Sequence, residues 1–472
     1  MSFLDQINEF FGIFVGYLAP ILFYSINGFP LIVLVLLTGG IVFTLYFKFI
    51  NIRGFSHSID IIKGKYDNPD DTGQISHFQA LTSALSATIG LGNIAGVAVA
   101  VSLGGPGAVF WMVFIAFFSM SAKFVSCTLG QLYRQVNDDG SVSGGPMYYL
   151  DKGLKEKGLG TLGKILGGMY AISIIGGAFG GGNMFQANQS YELFGKLIGL
   201  PNYLYGILLA ILVGAVIIGG IKRIGQTTEK IVPLMVILYV VASLFIIITN
   251  IDKLPGVLSS IVSQAFSPDA AYGGFIGVIV TGIKRAVFSN EGGVGSASIA
   301  HSAAKTDEPV REGIVAMIGP FIDTIIVCFM TASVILITAD INPLYQVSGE
   351  INGAELTSAA FGSVISWFPY ILSIVVFLFS FSTMISWYYY GDKGWKYLFG
   401  SSSIKIYQAM YLGCVVLGAI ASLGNVIVFS DIMILSCGFP NIIGCMFLLP
   451  VLSSKLDEYW ARYKSGQFTT YK

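Results

Sequence analysis

Residues 86–96 read S-A-T-I-G-L-G-N-I-A-G, and residues 288–296 read F-S-N-E-G-G-V-G-S. Each run sits in the middle of a long apolar stretch. A helix in a bilayer satisfies its own backbone. Glycines beside Asn, Ser, Thr and Glu at mid-depth therefore predict unwound backbone, which survives there only against protein or a water-filled cavity. Two such breaks at corresponding places in two halves of a chain point to a ligand site between the halves, near the bilayer midplane.

The surrounding composition fits that environment. The chain is 54% hydrophobic and 11% charged, with a mean hydropathy of +0.75. Soluble domains carry roughly 25% charged residues, so this is the composition of a polytopic membrane protein. The apolar runs are about 20 residues long, as a hydrocarbon core roughly 30 Å thick requires. They lack the period-two alternation of a membrane barrel, so the expected class is all-α. A net charge of zero implies no basic surface for nucleic acid. Cys127, Cys328, Cys414, Cys437 and Cys445 lie in apolar segments without CxxC spacing and read as free, packed thiols. No Lys or Arg precedes Lys48, so the basic region of a secretory signal is not expected.

Eleven transmembrane helices are predicted, at 29–50, 79–101, 107–132, 165–193, 202–220, 231–250, 272–303, 312–338, 355–391, 404–423 and 427–451. Residues 5–25 read as an interfacial or packed helix ending at Asn27-Gly28-Phe29-Pro30. The stretch 355–391 is too long for one straight span and is expected to open with a short interfacial helix before Pro369. With the N-terminus outside, alternation places 21 of the 26 Lys and Arg in inside loops and the tail. Only Lys196 and Lys253 fall in outside loops. This asymmetry supports the count and puts the C-terminus in the cytoplasm.

Removing the first helix leaves a ten-helix core, five and five, each five opening with a broken helix. Five is odd, so the halves have opposite orientations, which is an inverted-topology repeat. The expected units are 1–52 (N-terminal segment and extra helix), 77–250 and 272–452 (the two repeats), and 453–472 (cytoplasmic tail). The discontinuous helices are 79–101 and 272–303.

At the first break, Thr88, Gly90, Leu91, Gly92 and Asn93 form the candidate substrate site. The N–H groups of Leu91 and Gly92 would open a half-helix, whose N-terminus suits a carboxylate. The carbonyls of Ser86 and Ile89 end the preceding half-helix and suit a cation. At the second break, Phe288 is a candidate pocket wall and Ser289 and Asn290 are candidate polar contacts. Glu291 reads either as a functional ionisable group or as the partner of Lys123, Lys284 or Arg285. Asp323, on the next helix, has the same two readings. In 165–193, Asn183 and Gln186 share a helix face, and an amide offers both donor and acceptor. Asn183 and Asn188 read equally as interhelical bonds. Ser382 and Thr383 supply hard oxygen ligands for Na⁺. Trp387, one turn on, is placed to close a small pocket or to sit in an interfacial aromatic belt.

His57, His77 and His301 read as isolated, and no metal-ligand spacing, nucleotide-binding motif or nucleophile elbow occurs. An ATP-driven pump, a hydrolase and an obligate protein partner are not expected.

The runs S-A-L-S-A-T-I-G-L-G-N-I-A-G-V-A (83–98), G-G-P-G-A-V-F-W-M (104–112), G-G-P-M-Y-Y (144–149), F-S-N-E-G-G-V-G-S-A-S-I-A-H-S-A (288–303) and S-T-M-I-S-W-Y-Y-Y-G (382–391) resemble the alanine or glycine:cation symporter family over about residues 30–452. G-L-G-N at 90–93 is also similar to the first-helix break of neurotransmitter:sodium symporters. The resemblance implies a leucine-transporter-type fold and Na⁺-coupled symport of a small neutral amino acid, alanine or glycine, without a cofactor. It implies a prokaryotic cytoplasmic membrane setting. It assigns Leu91, Gly92 and Asn93 to the substrate carboxylate and ion, Gln186, Phe288 and Trp387 to the pocket, and Ser86, Ile89, Ser382 and Thr383 to Na⁺. Phe185 and Gln189 depart from the family's usual pattern, and some relatives take glutamine or D-amino acids.

Overall fold

The structure is a computed structural model describing residues 3–138, 140–266, 274–342, 344–345 and 353–471. The first two residues of the expected helix 272–303 and Lys472 of the expected tail lie outside these. Helices in chain order are α1 (Phe3–Leu22), α2 (Leu31–Tyr46), α3 (Phe55–Ile62), α4 (His77–Thr88), α5 (Val97–Leu132), α6 (Pro146–Glu156), α7 (Gly160–Phe179), α8 (Phe185–Ser190), α9 (Asn202–Ile217), α10 (Gly220–Thr249), α11 (Leu254–Phe266), α12 (Gly274–Asn290), α13 (Ala297–His301), α14 (Pro309–Ala316), α15 (Phe329–Ile337), α16 (Ala354–Gly362), α17 (Phe368–Phe399), α18 (Ile404–Ile420), α19 (Leu423–Ser436) and α20 (Gly438–Lys464). The protein is an all-helical membrane protein, with two minimal hairpins among the described residues. Asn27 and Gly28, both at positive φ, turn one of them, pairing Ser25–Ile26 with Phe29–Pro30. α1 lies against α19 through Phe11 and Phe429, 5.4 Å apart.

Seven helical stretches among the described residues are long and apolar enough to cross a membrane. They fall on seven of the eleven expected spans. Two more expected spans correspond to the shorter apolar helices Leu31–Tyr46 and Asn202–Ile217. The last two are the broken ones, which no single helix fills. The long stretch 355–391 divides into α16 and α17, with Pro369 in the first turn of α17, where its missing N–H leaves no helix bond unmade. One boundary differs clearly. Residues 221–230, expected as a loop before 231–250, belong to the first three turns of α10. The run contains good helix formers, and Thr227 turns its hydroxyl back to the Arg223 carbonyl (2.8 Å) instead of competing with the helix.

Both breaks are present. Ser76 caps α4 in a reciprocal capping box with Gln79. The helix ends at Ile89 (φ −76°, ψ 84°), and a wide turn over Gly92–Gly96 leads into α5. Gly105 (φ 60°, ψ −170°) separates the first piece of α5 from the rest. α12 ends at Asn290; Glu291, Gly293 and Gly295 then all take positive φ before α13.

Candidate functional site

The two breaks meet. A Cβ on Gly92 would lie 3.2 Å from the Cα of Ser289, so a side chain there would press on the end of α12. Asn93 is fully buried. Its Oδ1 accepts from the Gly90 N–H (2.9 Å), and its Nδ2 donates to Asp323 Oδ1 (2.8 Å) and to the Asp323 carbonyl (3.0 Å). Asp323 Oδ2 accepts from Ser289 (2.9 Å) and Thr324 (2.7 Å). One buried carboxylate thus ties both breaks together, with donors on both of its oxygens, as a charge away from water requires.

The Leu91 amide of the first break already has a partner. The Leu91 N–H donates to Gln186 Oε1 (3.2 Å), and Gln186 Nε2 donates to the Gly181 carbonyl (2.9 Å). Thr88 turns its hydroxyl back to Ala84 and Leu85 within its own helix.

The end of α4 is joined to α17. Thr383 Oγ1 donates to the Ser86 carbonyl (2.8 Å), Ser86 Oγ to the Ser382 carbonyl (2.7 Å), and Ser386 Oγ to Ser86 Oγ (3.1 Å). A Cβ on Gly90 would collide with Thr383 Oγ1, so the unwound segment lies against these hydroxyls. The Ser382 hydroxyl itself stays on its own helix, at the Phe379 carbonyl (3.0 Å). Ile89 is buried at the same corner. Trp387 is buried among the helices: it is 2% exposed, and its indole N–H donates to the Ala87 carbonyl (3.1 Å). Gly177 and Gly182 of the 160–190 stretch leave the room it occupies.

Phe288 packs edge-on against Phe185, 5.1 Å between centroids, and the Arg285 guanidinium lies 5.1 Å from the centre of the Phe288 ring. Asp431 on α19 holds both Arg285 and Lys284. Glu291 is therefore not the partner of either. It accepts from Ser296, and its Oε1 has no hydrogen-bond partner among the described residues. Asn290 donates to Thr324 (3.0 Å). Asn183 and Asn188 make interhelical bonds to the carbonyls of Tyr411 (2.7 Å), Gly418 (3.2 Å) and Ala421 (2.8 Å).

Two histidines expected to be isolated are not. Glu312 bonds His77 through one oxygen and His301 through the other (2.5 Å), all three buried. His77 lies far from the other two in sequence, so spacing gave no signal of the three together. His57 also has a partner, Tyr459 (2.7 Å). Asn441, unremarked in the sequence, donates to the Gly293 carbonyl of the second break (2.8 Å). A lone Asn in an apolar span was its signal.

Two broken helices packed on each other at their breaks are the arrangement of a leucine-transporter-type fold. The fold is similar to the crystal structure of MhsT in complex with L-phenylalanine: TM-score 0.55 and 15% identity, covering 80% of this chain and 97% of that one. The family model of the sodium:alanine symporter family matches residues 17–472, and the chain belongs to that family, one of transporters rather than enzymes. It is 42% identical to the sodium/alanine symporter AgcS of Methanococcus maripaludis, over 92% of this chain and 96% of the relative. It is 35% identical to the probable sodium/glutamine symporter GlnT of Bacillus subtilis, over 93% and 89%.

Proposed function

We propose that this protein couples Na⁺ influx to uptake of a small neutral amino acid, alanine or glycine, by alternating access. The observation that carries the reading is the Thr383 hydroxyl on the Ser86 carbonyl, with Gly90 against it. In this reading the carbonyls of Ser86 and Ile89 and the hydroxyls of Ser382 and Thr383 hold Na⁺, joining α4 to α17. The substrate carboxylate takes the amides of Leu91 and Gly92, displacing the Gln186 carbonyl. Gly90 and Asn93 shape that turn, Thr88 and Ser289 border it, and Gln186, Phe288 and Trp387 form the walls. Ion and substrate each favour the closed arrangement and so favour one another's binding.

The same reading takes the eleven helices as a first unit (1–52), two inverted repeats (77–250 and 272–452) and a tail (453–472). The N-terminus is outside and the C-terminus inside a prokaryotic cytoplasmic membrane. The test is uptake of radiolabelled alanine into proteoliposomes under an inward Na⁺ gradient, then with choline. Accumulation only with Na⁺ supports the reading; accumulation that follows a pH gradient overturns the coupling. A glutamine preference is the second reading, favoured by the relative named as a probable sodium/glutamine symporter, and competition by glutamine decides it.

A further inference from the structure

The chain leading into α4 and the chain leaving α13 lie side by side. The N–H groups of Gln74 and Ile75 both donate to the Ala303 carbonyl (2.8 and 3.2 Å). Lys305 N–H returns to the Ile75 carbonyl (2.8 Å), and Thr306 N–H to that of Thr72 (3.1 Å). One strand of this zipper enters the first broken helix; the other leaves the second.

Arg134, just past α5, closes over the zipper. Its Nη1 donates to the carbonyls of Ser302 (3.2 Å) and Ala304 (2.8 Å), and its Nη2 to those of Thr72 (2.8 Å) and Thr306 (2.8 Å). Four carbonyls from two strands meet one planar guanidinium, a geometry that a lysine ammonium cannot reproduce. One layer deeper, Glu312 on α14 holds His77, at the start of α4, and His301, at the end of α13. Neither Arg134 nor Glu312 touches the site residues. Separating α4 from α13 on this side breaks bonds of both.

We infer that Arg134 and Glu312 are positioning residues of an inner gate, which holds the approach to both breaks shut until ion and substrate are bound. The inference rests on the transport reading and on the orientation proposed above.

The test uses the full chain in proteoliposomes, with Ala303→Cys as reporter and the protein without the added cysteine as control. Ala303 is fully buried in the zipper. A membrane-impermeant maleimide applied from the inner face should label the reporter slowly. Arg134→Ala should raise that rate about ten-fold, within the usual span of a coupling between two sites. Glu312→Gln should raise it too, and Arg134→Lys should fall between. In the same variants the external Na⁺ concentration for half-maximal alanine uptake should rise several-fold. Unchanged labelling in Arg134→Ala and Glu312→Gln proteins that still bind amino acid would overturn the gate, as would increased labelling from the outer face alone. If Arg134→Ala does not insert, Arg134→Lys and Glu312→Gln carry the test. Failure of the unaltered protein to transport alanine with Na⁺ would sink the transport reading instead, because labelling needs no transport.

Discussion

Asn93 reaches from the first break to Asp323, with its Nδ2 2.8 Å from the carboxylate and 3.0 Å from the backbone carbonyl of the same residue. Ser289, beside the second break, donates to the other oxygen of that carboxylate (2.9 Å). The two breaks are thus locked to each other through a third helix. Asn93→Ala removes one charged hydrogen bond and leaves a buried carboxylate short of a donor, worth about 1.5–3 kcal/mol. Uptake should fall by at least about ten-fold, and thermal stability in detergent should drop. Full activity in Asn93→Ala would show that the link is dispensable.

Thr383 joins α17 to α4 through the Ser86 carbonyl. Thr383→Ala deletes a hard oxygen ligand and the bridge together. The half-saturating Na⁺ concentration should rise about ten-fold or more, as loss of roughly 1.4 kcal/mol of binding predicts. An unchanged Na⁺ dependence, measured by uptake at fixed alanine, would remove Thr383 from the ion site.

Trp387 fits only because residue 182 has no side chain. Gly182→Ala should displace the ring and cost about 1–3 kcal/mol of stability through overpacking. Trp387→Ala should instead admit larger amino acids. Competition of alanine uptake by a series of side-chain sizes reads this, and an unaltered profile would place the ring outside the pocket.

Glu291 has a buried oxygen without a hydrogen-bond partner among the described residues, and proton coupling is the competing idea. Under Na⁺ coupling, Glu291→Gln should retain uptake driven by Na⁺ alone. Abolished uptake together with a lost pH dependence in that variant would transfer the coupling role to Glu291.

His57 lies on α3, packed on Tyr463 and bonded to Tyr459 of α20. Burial and then the Arg311 charge lower its pKa to about 4. The unfolded chain, with a histidine pKa near 6.5, binds more protons between those values. Stability at this contact should therefore be full above about pH 6.5 and fall as the pH drops towards about 4. Limited proteolysis of the C-terminal tail at pH 7.5 and pH 5 measures it. His57→Gln should flatten the difference, and an unaltered pH response would assign it to another group.

Both discontinuous helices were legible in the sequence, because glycine and polar residues inside an apolar run are a local signal. The split before Pro369 was legible because the stretch is too long for one straight span, and the grouping of Ser86 with Thr383 was legible through the family resemblance. The start of α10 was misread because its polar first turns look like a loop when only hydropathy is weighed. His77 and His301 were read as isolated because nothing local marks a shared carboxylate.

Composition and local pattern alone determined that this chain is helical, that it belongs in a membrane, and where its helices unwind. Those properties depend on residues within a few turns of each other and on the solvent around them. Only the tertiary structure decided that Asp323 would join Asn93 to Ser289, that Lys284 and Arg285 would take Asp431 and leave Glu291, and that Arg134 would close over two strands beside the breaks. In a low-dielectric interior each buried charge must find partners, and which ones it finds depends on how helices distant in sequence pack.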